Sequence, residues 1–248
     1  MKTIQAYLPI VFISISTLLF TCNPARKNSG NKPYELKHWL SLQKYPCFGH
    51  CQVYKLNIYR NGLVILEGKE YLEKTGVYFT ELSAEKIKKF VRLSDSQNWP
   101  SYQSEYTVNI PDLPITEFNY HDEHGARIKN IKSNSNLPNP IHELTKEMGS
   151  LIGFEKWTQI QKKSDLTNPE IIANEFIIDM DSSLNVQILE TEFSLYDLKS
   201  QNKLSSNMNL WSFKYDDTKI GKYEMLILLR KKYGIRSVNF NRRILPRE

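Results

Sequence analysis

Two cysteines separated by three residues, with a histidine among those three, are the most chemically distinctive feature of the chain. Cys47 and Cys51 enclose His50 in the sequence CFGHC. Three kinds of chemistry fit this pattern: metal binding, redox exchange and a structural disulfide. A zinc site needs three or four protein ligands, and the usual redox signature is Cys-x-x-Cys near a βαβ unit. The spacing alone leaves the three alternatives open, and the compartment decides between them, because disulfides persist in oxidising surroundings.

Other residues with metal-binding or catalytic side chains are few. His121, Asp122 and His124 lie together on a predicted hairpin turn and could meet the CFGHC segment. Short polar turns contain such residues routinely, so we predict no metal site. The sequence HELTK begins like the zinc-protease motif HExxH, but Lys146 stands where the second histidine would be. Because G-x-S-x-G, Walker and G-x-G-x-x-G motifs are also missing from the sequence, we predict no catalytic site, no cofactor and no enzymatic activity.

The N-terminal residues indicate export. Lys2 is the only charged residue before a 14-residue apolar run, YLPIVFISISTLLF, and Cys22 follows soon after it. Such a run is shorter than the roughly 20 residues of a membrane-spanning helix, but it suits the core of a signal peptide. The arrangement of residues 1–21 and Cys22 resembles a bacterial lipoprotein signal.

That resemblance implies that Cys22 is acylated, that residues 22–33 are a tether, and that the protein lies in the bacterial cell envelope, anchored by lipid and facing the periplasm. The alternative is an ordinary signal peptide cleaved nearby. With Cys22 lipidated, Cys47 and Cys51 are left as an even pair in an exported protein. A disulfide between them is then the expected state.

The charge of the chain argues against a nucleic acid as partner. Lys and Arg number 33 and Asp and Glu 27, giving +6. Removing residues 1–21 takes away one Lys, which leaves 32 against 27, or +5. The basic residues are scattered and no nucleic-acid-binding motif accompanies them. We therefore predict no nucleic-acid partner and a solvated surface that favours anionic lipid headgroups.

The sequence predicts an α+β protein with two domains. A polar segment ending in Asn-Pro suggests a linker over 157–168. In the first domain, 34–156, the alternating strand QVYKLNIYR runs into Asn61-Gly62, a strong hairpin signal. Ser83 can cap a following helix, and another helix closes the domain. We predict an antiparallel sheet with two helices.

A family resemblance accompanies the CFGHC segment. Cys-Phe-Gly-x-Cys followed by Val-Tyr, a strand, an Asn-Gly turn and a return strand closed by Gly resembles an uncharacterised domain of bacterial envelope lipoproteins. The resemblance covers roughly residues 36–155. It implies a compartment and a fold, and it brings no known activity with it.

The second domain, 169–248, has a sharper pattern. The strand EFIIDM is followed by a helix that Ser183 can cap, and then by the strands DLKSQNKLS and NLWSFKYD. The helix YEMLILLRKKY and the strand IRSVNFNR complete the set. The order β-α-β-β-α-β predicts a ferredoxin-like plait.

This half resembles the propeptide of subtilisin-like serine proteases, on the segments NEFII, NMNLWSFKYD and VNFNRRILPR within 173–247. The resemblance implies a domain that assists folding of a protease and inhibits it. The sequence contains none of the Asp, His and Ser motifs of such a protease. The family's final strand leads into a tail that lies along the protease cleft by strand addition. The positions implied here are Asn241, Arg242, Arg243, Ile244, Leu245 and Pro246.

These observations predict a lipid-anchored envelope protein whose C-terminal domain binds, and inhibits or chaperones, a subtilisin-like protease. Two alternatives remain. The chain could be a protein-binding scaffold module of an envelope assembly, or it could bind a small ligand or a metal through the CFGHC domain.

Overall fold

A computed structural model describes residues 34–154 and 156–243 of the chain. Most of the residues in regular structure belong to two β-sheets, and four α-helices accompany them within the described part. All described residues belong to one compact unit. The expected α+β class is confirmed at this level. No helix in the described part is long and apolar enough to cross a membrane.

The larger sheet has eight strands in the order β5-β7-β6-β1-β2-β3-β4-β8. Neighbouring strands pair antiparallel, except β5 and β7, which are parallel. The strands are β1 (His38–Lys44), β2 (Val53–Tyr59), β3 (Leu63–Glu70), β4 (Gly76–Glu81), β5 (Glu105–Tyr106), β6 (Thr116–His121), β7 (Arg127–Ser133) and β8 (Thr158–Lys162).

Two helices, α1 (Ala84–Ser94) and α2 (Asn139–Phe154), cover one face of this sheet. The hydrophobic cluster between these helices and the sheet contains the alternating apolar residues of the central strands, because side chains at i and i+2 point to the same face. The buried residues include Leu40, Leu42, Leu56, Ile58, Phe90, Phe118, Ile141, Leu144, Met148 and Leu151.

The smaller sheet has four antiparallel strands in the order β10-β11-β9-β12. Its strands are β9 (Ile171–Met180), β10 (Lys199–Lys203), β11 (Leu210–Lys214) and β12 (Ile235–Arg242), and its helices are α3 (Val186–Glu192) and α4 (Lys222–Lys231). Phe176, Phe213 and Phe240 of the sheet pack in the same cluster as both helices. The helices therefore lie on one face of this sheet.

Helix α4 lies between the two sheets. Its residues from Met225 to Leu229 are all buried, which a helix on one sheet alone would not need. Their cluster includes Tyr59, Leu63, Ile65 and Val77 of the larger sheet. One hydrophobic cluster thus joins residues from both predicted domains.

The segment 157–168 differs from the linker that we expected. It contains β8, which pairs antiparallel with β4, so that Gly76 lies opposite Lys162. The polar composition of this strand hid it, because an edge strand buries few side chains and carries no clear apolar alternation. The chain therefore runs from the larger sheet to the smaller one with only a short connection.

Candidate functional site

The CFGHC segment forms a closed turn between β1 and β2. A disulfide joins Cys47 and Cys51, whose Cα atoms are 5.8 Å apart. Gly49 has φ of +137°, a conformation that side-chain-bearing residues rarely adopt. The turn exposes Phe48 to solvent, with 87% of its surface accessible. The disulfide that we expected between Cys47 and Cys51 is present.

His50 and the second histidine cluster do not meet. The His50 ring lies 4.9 Å from the ring of Tyr71, whereas His121 lies 5.2 Å from His38 between ring centroids. Asp122 accepts hydrogen bonds from the N–H groups of Ala126 and other residues of its turn, and these bonds lower its pKa. Among the described residues, no group of three or more His, Cys, Asp and Glu is placed to hold a metal ion.

The predicted lipidation site, Cys22, lies outside the described residues, as do Ile244, Leu245 and Pro246 of the predicted protease-binding tail. The rest of that predicted tail, Asn241 to Arg243, is described. Asn241 and Arg242 are the last residues of β12, paired with β9.

Side-chain contacts hold this end of β12 in place. Asn241 donates a hydrogen bond to Glu175 at 2.9 Å, and Arg242 lies 3.6 Å from the Glu170 carboxylate. The Arg243 N–H donates to the Glu170 carbonyl at 2.8 Å. A tail that reaches a protease cleft would therefore start no earlier than residue 244.

The four-stranded sheet has a second face, opposite α3 and α4, which we call the outer face. Lys214, Ser237 and Asn239 on it are exposed to solvent, and Ile177 at its centre lies between Ser212 and Asn239. Arg236, next to Ser237, pairs with Asp179. The members of the outer face are Glu175, Ile177, Asp179, Leu210, Ser212, Lys214, Ser237 and Asn239.

A cleft with a volume of about 590 Å³ lies where α2 leaves the end of the larger sheet. Its floor is a row of cross-strand partners, in which Ser133 lies opposite Thr116, Thr116 opposite Lys44, and Lys44 opposite Tyr54. Helix α2 forms one wall. We call this the Tyr54 cleft.

The Tyr54 cleft lies directly beyond the last row of buried apolar residues on this face of the sheet. On the same face, the preceding row consists of Ile131, Phe118, Leu42 and Leu56, all buried against the helices. Two residues further along each strand, on the same face, the side chain is polar or amphipathic. Gly149 on α2 faces the Tyr54 hydroxyl, and a Cβ at that position would lie 3.6 Å from it, in ordinary van der Waals contact.

Sequence reasoning missed this cleft. In the strand QVYKLNIYR, alternation places Tyr54, Leu56 and Ile58 on one face and does not distinguish Tyr54 from its neighbours. The available signal is a change from apolar to polar at corresponding positions of four strands. That signal becomes readable only when the strand register is known, and the register depends on distant parts of the chain.

A second polar groove, of about 340 Å³, lies on the opposite face of β6, β1 and β2. Burial, followed by the charges of His121 and Lys55, lowers the pKa of His38 to about 4. Burial also lowers the pKa of His121. Asn57 is 2% exposed, and its Oδ1 has no hydrogen-bond partner among the described residues.

Residues 38–152 match a family described as a domain of unknown function (DUF6438). The match contains the disulfide turn, the lining of the Tyr54 cleft and the strands from β1 to β7. No curated protein and no solved structure matches the chain significantly. The match assigns no activity, and the four-stranded sheet lies beyond it.

Proposed function

We propose that this chain is an envelope protein anchored through lipid on Cys22, and that its four-stranded sheet unit is a ferredoxin-like plait that binds a subtilisin-like protease. The proposal comes from the sequence resemblance to subtilisin propeptides over 173–247. It makes the protein a binding partner and inhibitor, with no catalytic residues of its own.

The strand order of the smaller sheet is the observation that supports this proposal most. The sequence order β9-α3-β10-β11-α4-β12 with the spatial order β10-β11-β9-β12 is compatible with a split βαβ plait. Both helices pack on one face of the smaller sheet, and α4 also packs against the larger sheet. The outer face is therefore the surface on which a protein partner would pack.

The outer face has the composition of a reversible interface. Lys214, Ser237 and Asn239 are polar, and Ile177 supplies apolar surface at the centre. Polar groups around a small apolar centre are typical of interfaces between proteins that also exist apart. The Asp179–Arg236 pair adds a charge-neutral polar contact point to this face.

The residues after β12 would supply the inhibitory contact. Ile244, Leu245 and Pro246 directly follow the strand that ends at Arg242. In an extended conformation they would add main-chain hydrogen bonds to a strand of the protease cleft and place alternate side chains in its pockets. Pro246 restricts the backbone, which lowers the entropy lost on binding.

Inhibition kinetics test the proposal. The full chain in detergent should raise the apparent KM of a subtilisin-like protease for a peptide substrate, at about 1 μM or less. Replacing Ile244–Pro246 by Gly-Ser-Gly should weaken inhibition by about tenfold or more. The same replacement at 205–207, in the loop before β11, is the matched control and should leave inhibition unchanged.

If no protease in a panel of subtilisin-like enzymes is inhibited, the proposal fails. If the loop replacement weakens inhibition as much as the tail replacement, the tail has no specific part in it. Stable capture of an envelope protein without protease activity would support the scaffold alternative instead.

A further inference from the structure

Tyr54 combines burial with an unused hydroxyl group. The residue is 3% exposed and lines the Tyr54 cleft. Its hydroxyl forms no hydrogen bond to any described residue, and burial alone raises its pKa to about 12. The group is therefore a neutral donor at physiological pH. Because this hydroxyl lies at the floor of an open cleft and the fold makes no use of it, it can donate a hydrogen bond to a ligand that enters the cleft.

The charged residues around this hydroxyl are all basic. Lys44 is the cross-strand neighbour of Tyr54, and Lys146 projects from α2 on the opposite wall. Neither ammonium group forms an ion pair with a described residue. No Asp or Glu of the described part lines the cleft, and His142 adds a third nitrogen-bearing side chain. The cleft thus has a positive potential that its own side chains do not neutralise.

The remaining wall is already fixed by internal hydrogen bonds. Ser133 Oγ donates to the Ser135 carbonyl at 2.7 Å, and Ser135 Oγ donates to the Tyr106 carbonyl at 2.7 Å. The Asn134 amide exchanges two hydrogen bonds with the backbone of Val108. These three residues shape the cleft through bonds that they make within the chain, whereas Tyr54, Lys44 and Lys146 keep their donors for a ligand.

We propose that the Tyr54 cleft binds a small molecule through a phosphate or carboxylate group, which accepts a hydrogen bond from Tyr54 and ion pairs from Lys44 and Lys146. A volume of about 590 Å³ holds such a group together with a small body attached to it. The site belongs to the eight-stranded sheet and is independent of protease binding at the outer face. The same anionic group could belong to a soluble molecule or to a phospholipid headgroup.

Isothermal titration of the full chain in zwitterionic detergent tests this proposal. Inorganic phosphate and citrate are the soluble probes, and glucose is the neutral comparison. Vesicles of phosphatidylglycerol, compared with phosphatidylcholine vesicles, test a headgroup as the source. We expect binding of at least one anionic probe, no binding of glucose, and weaker binding as salt rises.

Two variants locate the binding. Tyr54→Phe removes only the oxygen, so it should weaken binding about tenfold while leaving the unfolding free energy at least as high, because no hydrogen bond is lost. Lys146→Met should weaken binding by about the same factor. Lys203→Met, on exposed strand β10 of the other sheet, is the matched control.

Absence of binding by phosphate, citrate and anionic vesicles at about 10 mM, a range that would detect even weak sites, would overturn the proposal. So would binding that Tyr54→Phe leaves unchanged. Equal weakening by Lys203→Met and Lys146→Met would show non-specific charge attraction and would also overturn it. Protease inhibition is measured separately, and its outcome does not affect these results.

Discussion

At the scale of single residues, His38 shows how strongly the sheet environment changes a side chain. It lies at the start of β1, with its ring 4.5 Å from Tyr59 and 5.2 Å from His121 between centroids. Its Nδ1 has no hydrogen-bond partner among the described residues. Burial, followed by the charges of His121 and Lys55, lowers its pKa from 6.5 to about 4.

This lowered pKa predicts a specific dependence of stability on pH. Between pH 6.5 and pH 4, the unfolded chain binds a proton at His38 and the folded chain does not. The unfolding free energy is therefore unaffected by His38 above pH 6.5. It falls by up to about 3 kcal/mol as the pH falls from 6.5 towards 4. His38→Gln should make the unfolding free energy, measured by urea titration, less dependent on pH across this window.

The matched control is His124→Gln, since the side chain of His124 on the β6–β7 turn is 76% exposed. Its pH dependence should equal that of the parent chain. An identical slope in His38→Gln and the parent would contradict the assignment of the titration to His38.

The disulfide between Cys47 and Cys51 could be predicted from the sequence. Cysteines so close along the chain can reach each other without help from the rest of the fold. The part that Tyr54 plays could not be predicted. Its position next to Lys44 follows from the pairing of β1 with β2, and its free hydroxyl follows from where α2 ends its coverage of the sheet. Both depend on contacts between segments far apart in sequence.

At the scale of elements, local signals were dependable where backbone chemistry is local. Asn61-Gly62 predicts the turn between β2 and β3, and Gly62 has φ of +87°. Ser83 caps α1, accepting a hydrogen bond from the Lys86 N–H at 3.3 Å. Both predictions are confirmed. The prediction that Ser183 caps α3 is wrong, because Asn185 is the cap and accepts a hydrogen bond from the Ile188 N–H at 2.9 Å. Ser183 instead belongs to a turn before the helix, in which its N–H donates to the Asp181 carboxylate.

Glycines at two elements should respond in opposite ways to alanine. A Cβ on Gly68 in β3 would lie 1.9 Å from the Lys74 carbonyl, whereas a Cβ on Gly153 in α2 would meet nothing within 4 Å. Gly68→Ala should lower the unfolding free energy by at least about 2 kcal/mol. Gly153→Ala should raise it by roughly 0.5–1 kcal/mol, since alanine favours helix.

Urea unfolding of the two alanine variants and the parent measures both values. A neutral Gly68→Ala would mean that β3 and the turn after it can separate from each other without cost. In that case the close approach of the Lys74 carbonyl is not a constraint on this hairpin.

At the scale of the whole molecule, the central feature is α4 between two sheets. Ile65 of the larger sheet is 1% exposed and belongs to the same cluster as Leu226 of α4 and Phe176 of the smaller sheet. The sequence could not predict this packing. An apolar helix carries no sign of which second surface covers it, and the polar strand β8 was taken for a linker.

Shared packing predicts that both sheets unfold together. Ile65→Ala should cost about 2–5 kcal/mol through the cavity it leaves. Hydrogen exchange, followed by mass spectrometry, should then speed up in β9 and β11 as well as in β2 and β3. Ile128→Ala, at a position 47% exposed on β7, is the control and should leave exchange unchanged. Faster exchange confined to the larger sheet would support two independent domains.

The most direct test of the proposed function is the affinity of the full chain for a catalytically inactive subtilisin-like protease, measured with an outer-face variant. Ile177→Glu places a charge at the centre of that face, and Ile128→Glu makes the same change on the larger sheet. We predict a Kd of about 1 μM or tighter for the parent chain, at least about tenfold weaker binding for Ile177→Glu, and no change for Ile128→Glu. Absence of binding across a panel of such proteases, or equal affinity of the parent and Ile177→Glu, would contradict the proposal.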